Sequence, residues 1–235
     1  MELGGKNTLI VLDDADLDLA VSNAAWGAYL HQGQICMASG RILVQGDLSK
    51  EFTERLAEKA RNIQVGDPAT SPVAIGPLIN QSQTDHAQRI VDRSIADGAK
   101  LEAGGSHDGL FFKPTVLSGV TPGMAAFEEE IFGPVAPITR FETDDEAIEL
   151  ANRTEYGLSA GIISRSVSRA LGIGNRLRTG LLHINDQTVN DDVVNPFGGV
   201  GASGNGTSIG GPANWEEFTQ WQWVTIRGKP LMYPF

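Results

Sequence analysis

The feature that most constrains this chain is a regular alternation of short β-branched runs with amphipathic helical segments. "NTLIVL" (7–12) is a compact apolar run closed by the turn-prone "DDAD", the pattern of a buried strand. Asp16 then precedes Leu17, Ala20, Val21, Ala24 and Ala28, whose spacing marks one face of a helix that should stop around Gly33. "RILVQG" (41–46) predicts a second strand, and "LSKEFTERLAEKARNI" (48–63) a helix with Leu48, Phe52, Leu56, Ala60 and Ile63 on one side. After a Pro/Gly-rich loop, Ala87, Ile90, Val91 and Ile95 describe a helix ended by Gly98. Strands at 135–141, 158–164 and 180–186 alternate with helices at 144–154 and 166–177. Such alternation implies an α/β fold with a mostly parallel sheet and flanking helices, because parallel neighbours need crossover connections. A Gly/Asn/Ser-dominated stretch from Gln187 to Gly211 is long enough to suggest a functional loop. The tail "FTQWQWVTIRG" (218–228) predicts an aromatic strand that pairs with something outside this core.

Composition enters by exclusion. A net charge of −11 argues against nucleic-acid partners, which need clustered Lys and Arg over phosphates. No apolar run approaches a membrane span, so no membrane partner is expected. The only cysteine, Cys36, cannot form an internal disulfide, and the cytoplasm is the expected location. Four scattered histidines without cysteine pairs offer no metal-ligand spacing.

Cys36 by itself reads two ways. A free cysteine commonly behaves as a small buried hydrophobe. Yet it lies between Gly33 and Gly40, just ahead of a strand, where unpaired backbone N–H groups would create a positive field and favour the thiolate. His31 is awkwardly close to serve as its base, and nothing singles out His86, His107 or His183. "MELGGK" places Glu2 before two glycines, and "FEEEIFGPV" (127–135) crowds three carboxylates against Phe127, Ile131 and Phe132. Residues 199–204, "GVGASG", match G-x-G-x-x-G but lack a preceding strand, a following helix and a later acidic residue, so they are no dinucleotide fingerprint.

Four of these stretches together resemble the aldehyde dehydrogenase superfamily: "ELGGK" at 2–6, "GQIC" at 33–36, "EEIFGPV" at 129–135 and "NPFGG" at 195–199. They occur in that family's order and spacing, and the resemblance spans the whole chain, with the ending closest to the benzaldehyde and vanillin dehydrogenase branch. It implies that Cys36 is the nucleophile and Glu2 the general base. It implies that Glu130 contacts the nicotinamide ribose of NAD or NADP, with Phe132 beside the nicotinamide and Gln83 a further ribose contact. Aromatic aldehydes would be oxidised to acids through a thiohemiacetal and a thioester on Cys36, with Glu2 activating water.

Members of that family have roughly twice this length, so the resemblance also implies a C-terminal catalytic half. Residues 1–6 would be the edge of the nucleotide-binding domain, 7–217 the catalytic domain, and 218–235 an oligomerisation strand and tail. The full-length protein would be a homodimer or homotetramer, and the isolated chain would have little dehydrogenase activity. Two alternatives stay open on the residues alone: a non-catalytic oligomerising module with an idle site, and a cysteine hydrolase with its own histidine.

Overall fold

A computed structural model describes residues 2–235; Met1, which opens the expected segment 1–6, lies outside them. The strands are β1 (Thr8–Val11), β2 (Arg41–Gln45), β3 (Lys100–Ala103), β4 (His107–Asp108), β5 (Phe111–Phe112), β6 (Thr115–Ser118), β7 (Val135–Phe141), β8 (Ser159–Ile163) and β9 (Leu181–Ile184). The helices are α1 (Leu17–Tyr29), α2 (Leu48–Asn62), α3 (Gln81–Ala96), α4 (Ala125–Glu128), α5 (Asp144–Asn152), α6 (Val167–Gly174) and α7 (Ala213–Phe218). Seven strands form one sheet in the order β3-β6-β7-β2-β1-β8-β9, while β4 and β5 make a separate hairpin. All neighbours in the large sheet run parallel except the edge strand β3, which pairs antiparallel with β6. The α/β class with a mostly parallel sheet is therefore observed.

The period of two along each strand divides the core into two layers. Leu9 and Val11 of β1, Ile42 and Val44 of β2 and Val116 of β6 pack with α1 and α2 residues such as Ala24, Phe52 and Leu56. Ile10, Leu43, Leu117 and Ile162 point the other way, against Ile90 of α3, Ala147 of α5 and Ala170 of α6. Each fully buried Phe or Leu of this kind contributes about 1.5–3 kcal/mol of transfer free energy. Side-chain caps start the helices where their sequences suggest. Asp16 accepts from the N–H groups of Asp18 and Leu19, Asn80 caps α3, Thr143 caps α5 and Ser166 caps α6.

Several boundaries differ from the sequence expectation. The first helix ends at Tyr29, and Leu30–Gly33 form a tighter 3-10 turn in which His31 (φ 49°), Gln32 (φ 60°) and Gly33 (φ 67°) are all left-handed. The helix expected to reach 177 stops at Gly174, where the last carbonyls are closed by the N–H of Asn175. Residues 100–118, for which periodicity predicts nothing, supply β3 to β6. The tail is a case apart, because its strand is expected to pair outside this core. Trp215 and Phe218 lie in or at the end of a short helix, and residues 219–235 form no strand. A strand exists only through its ladder, and nothing among the described residues of this single chain pairs with 218–228. Among the described residues, no helix is long and apolar enough to cross a membrane.

Candidate active site

Three sequence segments enter adjacent strands at the same end of the sheet. Residues 2–6 lead into β1, the Cys36 loop leads into β2, and the Glu130–Gly133 loop leads into β7. Because β7, β2 and β1 are neighbours, chain segments separated by about a hundred residues converge at the amino ends of the strands. This is the opposite end from the usual ligand crevice of open parallel sheets.

Gly4 and Gly5 make the convergence sterically possible. Gly4 has φ 77°, and a Cβ there would come within 2.8 Å of Glu130 Oε2; a Cβ on Gly5 would overlap the Cys36 carbonyl oxygen. The Gly5 N–H donates to Glu130 Oε1 at 2.8 Å, and the Gly4 N–H reaches Glu2 Oε1 at 3.3 Å. The buried Asn7 ties the nucleophile loop to two strands. Its Nδ2 donates to Cys36 O (2.8 Å) and Ala38 O (2.9 Å), while its Oδ1 accepts the Ser159 N–H at 2.9 Å. Across the loop, the Ile79 N–H donates to Gln34 Oε1 at 2.9 Å, and a Cβ on Gly33 would overlap the Gly133 carbonyl oxygen.

Cys36 and Glu2 line one cleft of about 350 Å³, together with Leu158, Phe197, Ser203, Asn205 and Glu217. The long Gln187–Gly211 segment forms one wall. Phe197 and Ile209 bridge each other, and Ser203 is buried with its Oγ donating to Gly4 O at 2.8 Å. "GVGASG" contains only a 3-10 turn over Gly201–Ser203, consistent with its rejection as a dinucleotide loop.

The thiol's environment corrects one expectation. Burial pushes the Cys36 thiol above its ordinary value, Glu2 adds to this, and Glu130 does so more weakly. The N–H groups of Cys36 and Met37 oppose the shift without reversing it. The physical reason is that the fold half-buries Cys36 and brings the Glu2 and Glu130 carboxylates near it, both of which disfavour the charged thiolate.

Glu130 is half-buried, and burial raises its carboxyl above the ordinary range; the Gly5 N–H pulls it back and Glu2 pushes it up. Phe132 is half-buried with φ 51°, a strained value for an aromatic residue. One face of α3 holds this loop. Gln83 Nε2 donates to the carbonyls of Ile131 (2.9 Å) and Phe132 (3.0 Å), and His86 Nε2 bonds Glu130 O at 2.9 Å. Lys6 completes the scaffold by donating to Ala126 O at 2.9 Å and Glu129 O at 2.5 Å. Burial, ahead of the charge on Arg41, brings its amine down to about 7.

The five expected residues thus fall in two groups on either side of Gly4–Gly5. Cys36 and Glu2 share the cleft, while Glu130 and Phe132 share a neighbouring loop anchored by Gln83. None of the four histidines lines the cleft or bonds Cys36, which removes the support a Cys–His hydrolase would need. No group of metal-ligating side chains occurs among the described residues. Sequence reasoning missed Asn7, Lys6 and His86. For Asn7 and Lys6 the available signal was a polar pair at the mouth of an otherwise apolar strand.

This fold and site define a class. A family model for the aldehyde dehydrogenase family matches residues 1–224, and the chain belongs to that family. Among particular relatives, it is 52% identical to a vanillin dehydrogenase of Amycolatopsis sp., covering 100% of this chain and 49% of that protein. It is likewise 52% identical to the benzaldehyde dehydrogenase [NAD(+)] of Pseudomonas putida, over 100% of this chain and 48% of that one. The fold superposes on the crystal structure of a salicylaldehyde dehydrogenase from Pseudomonas putida G7 complexed with salicylaldehyde. There the TM-score is 0.93 at 38% identity, over 99% of this chain and 48% of that chain. The chain spans about half the length of the curated relatives it matches.

Proposed function

We propose that this chain is the catalytic-domain part of an aldehyde dehydrogenase acting on aromatic aldehydes, with Cys36 as nucleophile and Glu2 as general base. The observation that carries this reading is the shared cleft. Two chemically complementary side chains from segments entering neighbouring strands open into one space walled by Phe197, Leu158 and Ile209. Its volume of about 350 Å³ suits a single-ring substrate.

In this reading the Cys36 sulfur bonds the aldehyde carbon, and the negative charge that develops on oxygen is met by the N–H of Cys36. A nicotinamide dinucleotide, NAD or NADP, supplies the hydride acceptor when bound. Of this chain's residues, Glu130, Phe132 and Gln83 would hold its nicotinamide end. Their geometry fits such a role, since the Gly5 N–H fixes the Glu130 carboxylate beside the cradle of Gly4, where any Cβ would crowd it. Gln83 serves by clamping the loop carbonyls with its Nε2, which leaves its Oε1 for a ligand. Glu2 then takes a proton from the water that releases the acid from Cys36.

The same reading assigns residues 1–6 to the edge of the nucleotide-binding domain, 7–217 to the catalytic domain, and 218–235 to subunit assembly in a cytoplasmic homodimer or homotetramer. Trp221 and Trp223 are 94% and 92% exposed, which favours a tail that gains its partner strand from another subunit.

Acyl transfer tests the site without the dinucleotide. The purified chain should be acylated at Cys36 by a p-nitrophenyl ester, and Cys36→Ala should release p-nitrophenol no faster than buffer. Equal release by the two proteins would sink the reading.

A further inference from the structure

The "GASGNGTS" turn (201–208) holds a chemistry that the dehydrogenase reading does not use. We propose that Asn205 is a built-in site of spontaneous deamidation, its conversion assisted by the turn and delivering a new carboxylate into the cleft. In this reaction the Gly206 main-chain nitrogen attacks Asn205 Cγ and forms an N–C bond. The N–H proton passes to solvent, and the side-chain amide leaves as ammonia. Water then opens the resulting succinimide at either carbonyl, leaving an aspartyl or isoaspartyl residue.

Three observations converge here. The nucleophile is accessible: Gly206 is exposed, a Cβ on it would meet nothing within 4 Å, and its N–H joins no hydrogen bond among the described residues. Its φ of 91° belongs to glycine, so the site also lacks the side chain that would shield the attack elsewhere. The electrophile is polarised. Asn205 Oδ1, the atom on which negative charge develops, accepts from the Thr207 N–H at 3.1 Å and the Thr207 hydroxyl at 2.9 Å. Two donors on a developing oxyanion are the arrangement that stabilises tetrahedral intermediates in acyl transfer. The product would also matter, because Asn205 lines the cleft that contains Cys36, Glu2 and Glu217. A further negative charge there disfavours the thiolate in the same sense as Glu2 does.

The test is incubation of the purified chain at mildly alkaline pH, with peptide mass mapping and isoaspartyl methyl transfer as readouts. Asn205 should convert before the exposed loop residues Asn190, Asn195 and Asn214. Thr207→Val, which removes the hydroxyl donor and keeps the N–H, should slow conversion at Asn205 several-fold while leaving the other sites alone. The native chain should also convert faster at Asn205 than the same chain unfolded in urea. Asn205 intact after its neighbours have converted would overturn the proposal. So would a Thr207→Val rate equal to wild type, or a native rate no faster than the unfolded one. Aged protein separated from fresh should alkylate at Cys36 with iodoacetamide about two-fold more slowly, the effect of one charge across a wet cleft. An unchanged alkylation rate would remove the link between this site and the nucleophile.

Discussion

Replacing Asn7 with Ala should unseat the nucleophile while leaving every family motif except its immediate neighbour intact. Asn7 is buried and its side chain makes three hydrogen bonds: to Cys36 O, to Ala38 O and from the Ser159 N–H. The Ala38 carbonyl is only partly buried and can turn to water, whereas the Ser159 N–H is buried at the start of β8 and loses its only acceptor. Two bonds worth about 1 kcal/mol each, plus about 1 kcal/mol or more for an unsatisfied buried donor, give a loss of about 3 kcal/mol. For a chain of this size that lowers the melting temperature by about 6–12 °C. Asn7→Asp is the informative companion. It keeps an acceptor for Ser159 but aims a carboxylate at two carbonyls, so it should be no more stable than the alanine variant. Urea denaturation gives the stability change, and the iodoacetamide rate at Cys36 reports the loop. A loss below about 1 kcal/mol together with an unchanged alkylation rate would refute this account of how the loop is held.

Further outcomes follow from the same geometry. Glu2→Gln should move the pH profile of Cys36 alkylation to lower pH, and Glu130→Gln should do so less, since both carboxylates raise the thiol and Glu2 does so more; a shift to higher pH in either variant would contradict this. Gly5→Ala should destabilise strongly by overlapping the Cys36 carbonyl, whereas Gly172→Ala, inside α6 with nothing within 4 Å, should be neutral or stabilising by up to about 1 kcal/mol. Thermal melts of the pair decide it, and similar melting temperatures would count against the steric argument. Lys6, with its amine brought down to about 7, penalises the folded state while protonated, so its contribution is least favourable below pH 7 and improves toward the ordinary value of 10.5. The stability difference between wild type and Lys6→Met, followed by urea denaturation, should therefore grow in favour of wild type as pH rises above 7.

Much of the fold was legible because strands and helices carry local periods. β1, β2, β7, β8 and β9 and helices α1, α2, α3, α5 and α6 all fall where alternating apolar runs and caps such as Asp16 predict them. The elements missed were those with weak local signals. β3 is a partly exposed edge with a bulge, and β4 and β5 have two residues each. The tail is a different case. Its aromatic run has a strand's composition, and the ladder it would need finds no neighbour among the described residues of this one chain.

The sequence by itself determined the class of fold and the identities of the candidate groups, because Cys36, Glu2 and the Glu128–Glu130 triplet stand in short motifs of unusual composition. Only the tertiary structure decided how they act on one another. Placing β7, β2 and β1 side by side brings their entering loops together at the amino ends of the strands. That placement half-buries Cys36 among carboxylates, and these outweigh the backbone N–H groups that the local glycines suggested would lower the thiol. Electrostatic surroundings depend on distances between residues far apart in the chain, and no local pattern encodes them.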